Sequence, residues 1–455
     1  MAFPRSRTLL CALLGAALLT PVTPASTASV TPDSAVSGPL PVAEDRTVDY
    51  RGLRLTVPGE WRVVDLDRNP AACLRLDLPT LYLGPAGTQG ECTGRAVATR
   101  ADTLHLEPLD GAPPRADIPT VTIEDGTAVP PPDRTASHSN ELRYALRRAG
   151  IMATVSYGAA PDAVRGVLTR ARRTAAGTPG AAGVAGAPGP DGAATVRAAA
   201  LTKARTGQDA FTGQGFDACT APTQGAMDNW RDSAPFGAVG VYIGGRARAC
   251  AQPQLTASWV RRQAAAGWHL MPIWVGPQPW HSNSTGLSTD PHAAEGQGRS
   301  AAEGAVAAAR TLGLSEGTVL YNDVENYQDR ATWDAPVVAY VSAWTVRLRE
   351  LGYHSAAYVS AGSGVKALSA RYSHDPEAMP DVLWVAHWNG SASVSDTDMG
   401  LPSGTRQWTG PRRAHQFRGG HNASYGGVTI NIDSNWVDVD PGALDGGPDS
   451  FFPFS

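Results

Sequence analysis

The sequence predicts an α/β protein: an eight-stranded (β/α) barrel with helices after its first five strands, preceded by a small α+β domain. Between residues 213 and 441, short apolar runs of strand length alternate with segments of helical period, the pattern of a parallel sheet wrapped by helices. Eight such runs in about 230 residues suit a closed barrel. Acidic residues recur where several runs end, which is where a barrel of this kind carries its chemistry.

In chain order, the first element is a targeting segment, residues 1–28. Arg5 and Arg7 form a positive start, 8–20 is an apolar stretch too short to span a bilayer, and Ser26-Thr27-Ala28 offers small residues for cleavage. No stop-transfer flank follows, so the reading is a secretory signal rather than an anchor. Arg5-Ser6-Arg7 is not a twin-arginine pair, and Cys11 has no lipoprotein-like context. No later segment is apolar enough to cross a membrane, and the mature chain is expected to be secreted.

The α+β domain covers 44–173. Residues 48–66 alternate and contain Pro58-Gly59, which reads as two strands about a turn. A short strand is expected at 81–83, a helix at 141–148, a strand at 151–157 and a helix at 163–173, with Trp61 in the core. Residues 174–207 are rich in Gly, Ala and Pro, cannot bury a core, and read as a linker whose end (194–204) has helical character. In the barrel domain, 213–441, the eight strands are expected at 214–218, 238–243, 268–275, 319–324, 355–360, 382–387, 405–409 and 428–432. Helices fit the first five gaps, at 223–232, 256–266, 293–312, 336–351 and 364–372. Pro272 argues for an irregular third strand. The fold class is a TIM-like barrel.

The formal net charge is −4, and lysine is confined to Lys203 and Lys366. Such a balance gives no electrostatic footprint for nucleic acid or an anionic membrane. Beyond the targeting segment, Cys73, Cys92, Cys219 and Cys250 remain, an even number in an exported chain. Of three connectivities, Cys73–Cys92 and Cys219–Cys250 keep each bridge within one domain, each restricting the unfolded chain by about 3–4 kcal/mol. A zinc site would need a CxxC or a histidine pair, and neither is present. No metal or cofactor is expected: there is no Gly-x-Ser-x-Gly, His281 and His292 lie in a polar loop, and Gly244-Gly245 is a weak phosphate signal.

Three strand ends carry acids: Gly215-Phe216-Asp217, Leu320-Tyr321-Asn322-Asp323-Val324-Glu325 and Thr429-Ile430-Asn431-Ile432-Asp433-Ser434-Asn435. Side chains two apart on a strand share a face, so Val319, Tyr321, Asp323 and Glu325 point one way. On the last strand Thr429, Asn431, Asp433 and Asn435 face opposite to Val428, Ile430 and Ile432. With the apolar side on the helices, the polar side meets the barrel mouth. First and last strands are neighbours in a closed barrel, which brings Asp217 to Asp433. Carboxylates sharing a cavity repel, which holds a proton on one of them, as glycoside cleavage requires. A solvated acidic loop or a Ca²⁺ or Mg²⁺ site remains the alternative reading of these residues.

These motifs resemble the glycoside-hydrolase-like domain of secreted bacterial proteins, a relative of the family-25 lysozyme-like muramidases. The resemblance covers about half of the chain. It rests on Gly-Phe-Asp at Asp217, Tyr-Asn-Asp-Val-Glu at Asp323 and Glu325, Arg-Gln-Trp-Thr at Gln407 and Trp408, and Asp-Ser-Asn-Trp at Asp433. It implies Glu325 as general acid, with Asp217, Asp323 and Asp433 positioning groups or stabilising charge. The partner it implies is a polysaccharide such as peptidoglycan, met outside the cell or at the wall.

Trp274, Trp280, Trp384, Trp388, Trp408 and Trp436 fall at or beyond expected strand ends, where flat rings suit sugar C–H faces or pack in the core. Trp274 and Trp408 are the preferred groove residues, with Gln407 and Tyr242 beside them; His387 fits a groove or a buried position equally. The functional expectation is a glycan-cleaving enzyme. Its rivals are a catalytically silent barrel that binds wall glycan and a metal-dependent hydrolase.

Overall fold

A computed structural model describes residues 44–94, 96–112, 115, 118, 120–124, 139–174, 207–280 and 286–444. The expected signal segment, most of the linker with its helical end, and His281 lie outside them. The described residues belong to one compact unit.

The N-terminal region holds β1 (Arg46–Tyr50), β2 (Leu53–Val57), β3 (Arg62–Asp65), β4 (Thr80–Leu83), β5 (Thr103–Pro108), β6 (Thr120–Ile123), β7 (Glu141–Leu146), β8 (Ile151–Ser156), α1 (Asp162–Arg170) and β9 (Arg172–Arg173). One sheet has the order β1-β2-β9, the other β3-β4-β5-β8-β7-β6. Two expectations are corrected. Residues 46–65 form three strands, because Arg51-Gly52 takes positive φ and turns β1 onto β2, while Pro58-Gly59 leads β2 into the other sheet. Residues 141–146 are a strand, not a helix. This segment is buried on both faces, with Glu141 and Arg143 held in ion pairs, so tertiary burial overrides its helix-forming composition. Trp61 is in the core, as expected.

The second region closes into a barrel of β10 (Phe211–Asp217), β11 (Ala238–Gly244), β12 (His269–Trp274), β13 (Val319–Val324), β14 (His354–Ser360), β15 (Val382–Ala386), β16 (Arg412–Tyr425) and β17 (Val428–Val439), in that order. Helices α2 (Gln224–Ser233), α3 (Ala257–Ala265), α4 (Pro291–Leu312), α5 (Arg330–Glu350) and α6 (Gly364–Tyr372) follow the first five strands. Their starts are encoded locally: Thr223 and Thr256 accept the Ala226 and Trp259 amides, and Asp290 precedes Pro291 at the head of α4.

The last two strands differ from expectation. The seventh is Arg412–Tyr425, not 405–409, and the eighth runs antiparallel to both neighbours. The sequence RRAHQFRGGHNASY hides a strand because it lacks an apolar face. Its first half is buried and climbs from the floor to Gln416 at the mouth, and its second half alternates between half-buried and exposed in a hairpin with β17. Pro272 sits within β12, whose pairing with β13 begins one residue later, at Ile273.

Strand alternation sorts the core. Leu270, Trp274, Leu320, Val324, Ile430 and Ile432 face the helices, while Met271, Ile273, Tyr321, Tyr358, Trp384 and Val437 fill the barrel. Disulfides join Cys73 to Cys92 and Cys219 to Cys250, with Cα atoms 5.6 and 5.8 Å apart. No helix among the described residues is long and apolar enough to cross a membrane.

Candidate functional site

The mouth of the barrel collects the acids. Asp217 is the last residue of β10, and its direct partner across the ladder is Asp433 of β17. Asp433 reaches the mouth from the middle of a strand running back toward the floor, which corrects its expected place at a parallel strand's end. Asp323 lies on β13 in the same pleat as Val319 and Tyr321, which line the interior, and Glu325 follows just beyond the strand. Asp217, Asp323 and Asp433 are buried, and Glu325 is half-buried at the rim.

Tyr358 marks their convergence. It is buried on β14, and its hydroxyl is pushed well above the usual tyrosine range, first by burial and then by the charges of Glu325, Asp323, Asp217 and Asp433. Four carboxylates from three strands therefore act on one phenol. Its O–H donates to Gln416 Oε1 at 3.0 Å. The Gln416 amide nitrogen lies between two acids, 3.1 Å from Asp217 Oδ2 and 3.2 Å from Asp433 Oδ2.

Asp217 is held by neutral donors from three strands. Besides Gln416 it accepts from the Tyr242 hydroxyl at 3.1 Å and from Asn435 Nδ2 at 2.9 Å. Asn435 is held by Trp384, whose indole N–H donates to Oδ1 at 3.0 Å from inside the barrel. On the opposite wall, buried Gln278 clamps the turn that carries Glu325: its amide donates to the Asp323 carbonyl at 2.8 Å and its oxygen accepts the Glu325 N–H at 2.9 Å. A neutral amide satisfies backbone there without adding charge beside the acids.

The expected aromatic and amide residues divide. Tyr242 belongs to the cluster. Trp274 faces the helices in the outer core and does not line the mouth. Trp408 is also buried in that core, against Tyr372 with ring centroids 4.5 Å apart, and its N–H donates to the Pro380 carbonyl. Gln407 bonds Ser369 and Ser373 at α6. Packing against α6 thus takes both residues of the Arg-Gln-Trp-Thr motif away from the acids. Trp384 lies beneath the cluster, and Trp436 is half-buried on the face of β17 away from it. His387 Nδ1 lies 3.0 Å from the Asp398 carbonyl, in the loop after β15.

Trp388 is the exposed ring at the mouth. It is 66% accessible, yet its N–H donates at 2.9 Å to the same Gln416 oxygen that accepts from Tyr358. A Cβ at position 419 would collide with its indole, so Gly419 lets the ring lie on the β16 ribbon. Trp280, half-buried, donates to the Asn326 carbonyl just past Glu325. Gln416, Gln278, Tyr358 and Trp388's link to Gln416 are the pieces that sequence reasoning missed. Of these only Tyr358 had a usable signal, since the pleat of β14 places it on the face of Ala356, whereas alternation along the last strand does put Asn435 on the side facing the mouth, where it bonds Asp217.

No group of three or more His, Cys, Asp or Glu side chains among the described residues is arranged to hold a metal ion. The cluster's other members are amides, phenols and indoles, which suit hydroxyl-rich organic ligands.

Residues 228–437 match the family described as Rv2525c-like, glycoside hydrolase-like domain. No curated protein matches the chain. Solved structures similar to it include an uncharacterized B. stearothermophilus protein, at 18% identity and TM-score 0.35, covering 50% of this chain and 95% of that one. The Mycobacterium tuberculosis Tat-secreted protein Rv2525c, solved with L-tartrate, is 15% identical at TM-score 0.34, covering 50% and 96%. The catalytic domain of endolysin ply40 from bacteriophage P40 of Listeria monocytogenes is 15% identical at TM-score 0.30, covering 51% and 95%.

Proposed function

From a barrel whose residues 228–437 match a glycoside hydrolase-like domain, we propose that the chain is an exported enzyme that cleaves glycosidic bonds in a polysaccharide of the cell wall. The observation that carries this reading is the gathering of acids at the mouth: Asp217 faces Asp433 across the ladder, Gln416 bonds both and accepts from Tyr358, and Asp323 and Glu325 end the strand opposite. Glycoside cleavage needs one carboxyl group to protonate the leaving oxygen and another to stabilise or attack the oxocarbenium-like centre.

Glu325 is assigned as the proton donor because it is the acid at the accessible rim, where a chain crossing the mouth presents its glycosidic oxygen. Asp217 is held by three donors and is assigned to stabilising positive charge as it develops on the sugar ring. Asp323 and Asp433 complete the acidic wall, with Gln416 fixing the spacing of the Asp217–Asp433 pair. Trp388 supplies the sugar-stacking face that was expected of Trp274 and Trp408. Two disulfides support action outside the cytoplasm.

The test compares wild type with Glu325→Gln on purified peptidoglycan and on a panel of soluble polysaccharides. Loss of the proton donor should cut release of reducing ends by about 10³-fold, with unchanged circular dichroism and urea midpoint. Wild type that releases no reducing ends but co-sediments with cell walls would replace cleavage by glycan binding. Activity abolished by EDTA and restored by a divalent ion would move the acids to a metal-ligand role.

A further inference from the structure

The N-terminal region is built into the rim of the barrel. The loop after β11, residues 245–251, is paired on both sides by N-terminal backbone: Val97 N–H donates to the Ala247 carbonyl at 2.8 Å, Leu76 N–H to Ala249 at 3.0 Å, and Ala251 N–H to Leu74 at 3.0 Å. Antiparallel bridges pair Arg75 with Cys250 and Ala96 with Arg248. This loop therefore acts as a strand of the N-terminal region as well as a connection of the barrel.

Side chains tie the same loop to the acids. Buried Arg248 donates from Nη2 to Glu141 Oε2 at 2.6 Å and from Nη1 to the Tyr242 carbonyl at 3.2 Å. Tyr242 in turn donates to Asp217. Arg100 donates to the Arg248 carbonyl at 2.9 Å and lies 3.4 Å from the same Glu141 oxygen. Ser139 Oγ accepts the Gly245 N–H at 3.2 Å. Gly245 takes φ +102°, and a Cβ there would strike the Val275 carbonyl, so the loop has little freedom to adjust. The Cys219–Cys250 bridge fastens the end of this loop to the residues just after Asp217.

We propose that Glu141 is a positioning residue for the barrel site: through Arg248 it sets the end of β11 and the Tyr242 hydroxyl that orients Asp217. The N-terminal region is on this account a working part of the site. The inference rests on the reading of Asp217 given above, but it makes a claim about geometry that can be measured without turnover. Removing one partner of a buried ion pair strands the other, so Glu141→Gln, which keeps an acceptor for Arg248, is the variant of choice.

Amide hydrogen exchange is measured on the full chain, comparing the ends of β10 and β11 with β14 across the barrel. Glu141→Gln should speed exchange at 215–219 and 240–245 about fivefold or more relative to β14. General destabilisation speeds all three alike, and a change confined to 139–157 and 246–251 leaves Asp217 untouched; either result overturns the proposal. On wild type that releases reducing ends, a double-mutant cycle adds a second reading. Glu141→Gln should cost about tenfold in rate alone and almost nothing on top of Tyr242→Phe, whereas equal costs in both backgrounds overturn the relay. Wild type inactive on every glycan, with the exchange pattern as expected, fails the cleavage reading and keeps this one. Should Glu141→Gln fail to fold, Ser139→Ala, which removes the acceptor for the Gly245 N–H, carries the same exchange measurement.

Discussion

The two ends of the barrel interior are made by the same strands and have opposite characters. β10 begins with Phe211 and ends with Asp217, and β13 begins with Val319 and reaches Asp323. At the floor, Phe211 stacks on His269 with centroids 5.5 Å apart, among Val319, Val382, Val437 and Val439. At the mouth, buried side chains are acids, amides and phenols bonded to one another. The floor is held mainly by packing, with the His269 ring bonded to the Asp209 carbonyl at its edge. A buried polar mouth stays folded only because its groups satisfy each other, which fixes their positions as a by-product. Apolar packing is thus concentrated at one end and the polar cluster at the other.

The sharpest break of this division is at the layer between them. Trp384 is fully buried, lies edge-on to Tyr321 and Tyr358, and donates to Asn435 under Asp217. Trp384→Ala should cost about 3–5 kcal/mol of stability, read as a urea midpoint, and should also lower glycan cleavage because Asn435 loses its anchor. Glu325→Gln should do the reverse, leaving stability intact while removing activity. A Glu325 variant as destabilised as the Trp384 variant would show that mouth and floor are one structural unit.

The floor makes its own pH prediction. Burial is the largest influence on His269 and pulls it down to about 4, against a partly opposing hydrogen bond to the Asp209 carbonyl. The folded state thus keeps the ring neutral while the unfolded chain protonates near 6.5. Stability from this site is complete above about pH 6.5 and drains away as the pH falls toward 4, by on the order of 3 kcal/mol. His105 is lowered in the same direction, chiefly by burial, and adds to the fall. His269→Gln should flatten the stability–pH profile in this window relative to wild type. An unchanged slope would mean that water reaches the floor and that the two ends differ less than their side chains imply.

The parts legible in sequence were those that repeat a physical rule. Segments of helical period between apolar runs specified the first five βα units, and period-two alternation placed Asp323 on the inner face with Tyr321. Proximity of cysteines anticipated both bridges. The misread parts lack such a rule. β16 has glycines and no apolar face, so the strand was sought at 405–409, whose Trp408 serves the outer core. Glu141–Leu146 has a helix-former's composition, and its pairing with β6 and β8, together with buried partners such as Arg248 and Glu107, makes it a strand. Gln416 and Gln278 gave no signal because one glutamine in a polar run looks like any other until the fold brings two acids, or a turn, to its amide.

The smallest expected effect falls on the rim, where Trp388 rests on β16 but stays largely exposed. Trp388→Ala removes little buried area, so stability should stay within about 0.5 kcal/mol of wild type. If its indole is a sugar platform, affinity for glycan fragments should drop by roughly 1 kcal/mol, about five- to tenfold, the scale of one aromatic contact. Trp388→Phe separates its two roles. It keeps a ring face but loses the N–H that reaches Gln416, so affinity should recover while the turnover rate remains reduced, because Gln416 sits between Asp217 and Asp433. Isothermal titration with soluble peptidoglycan fragments reads the first effect and kcat the second. Full affinity in the alanine variant would leave Trp388 as an ornament of the β16 ribbon and move the substrate to the other rim, beside Trp280.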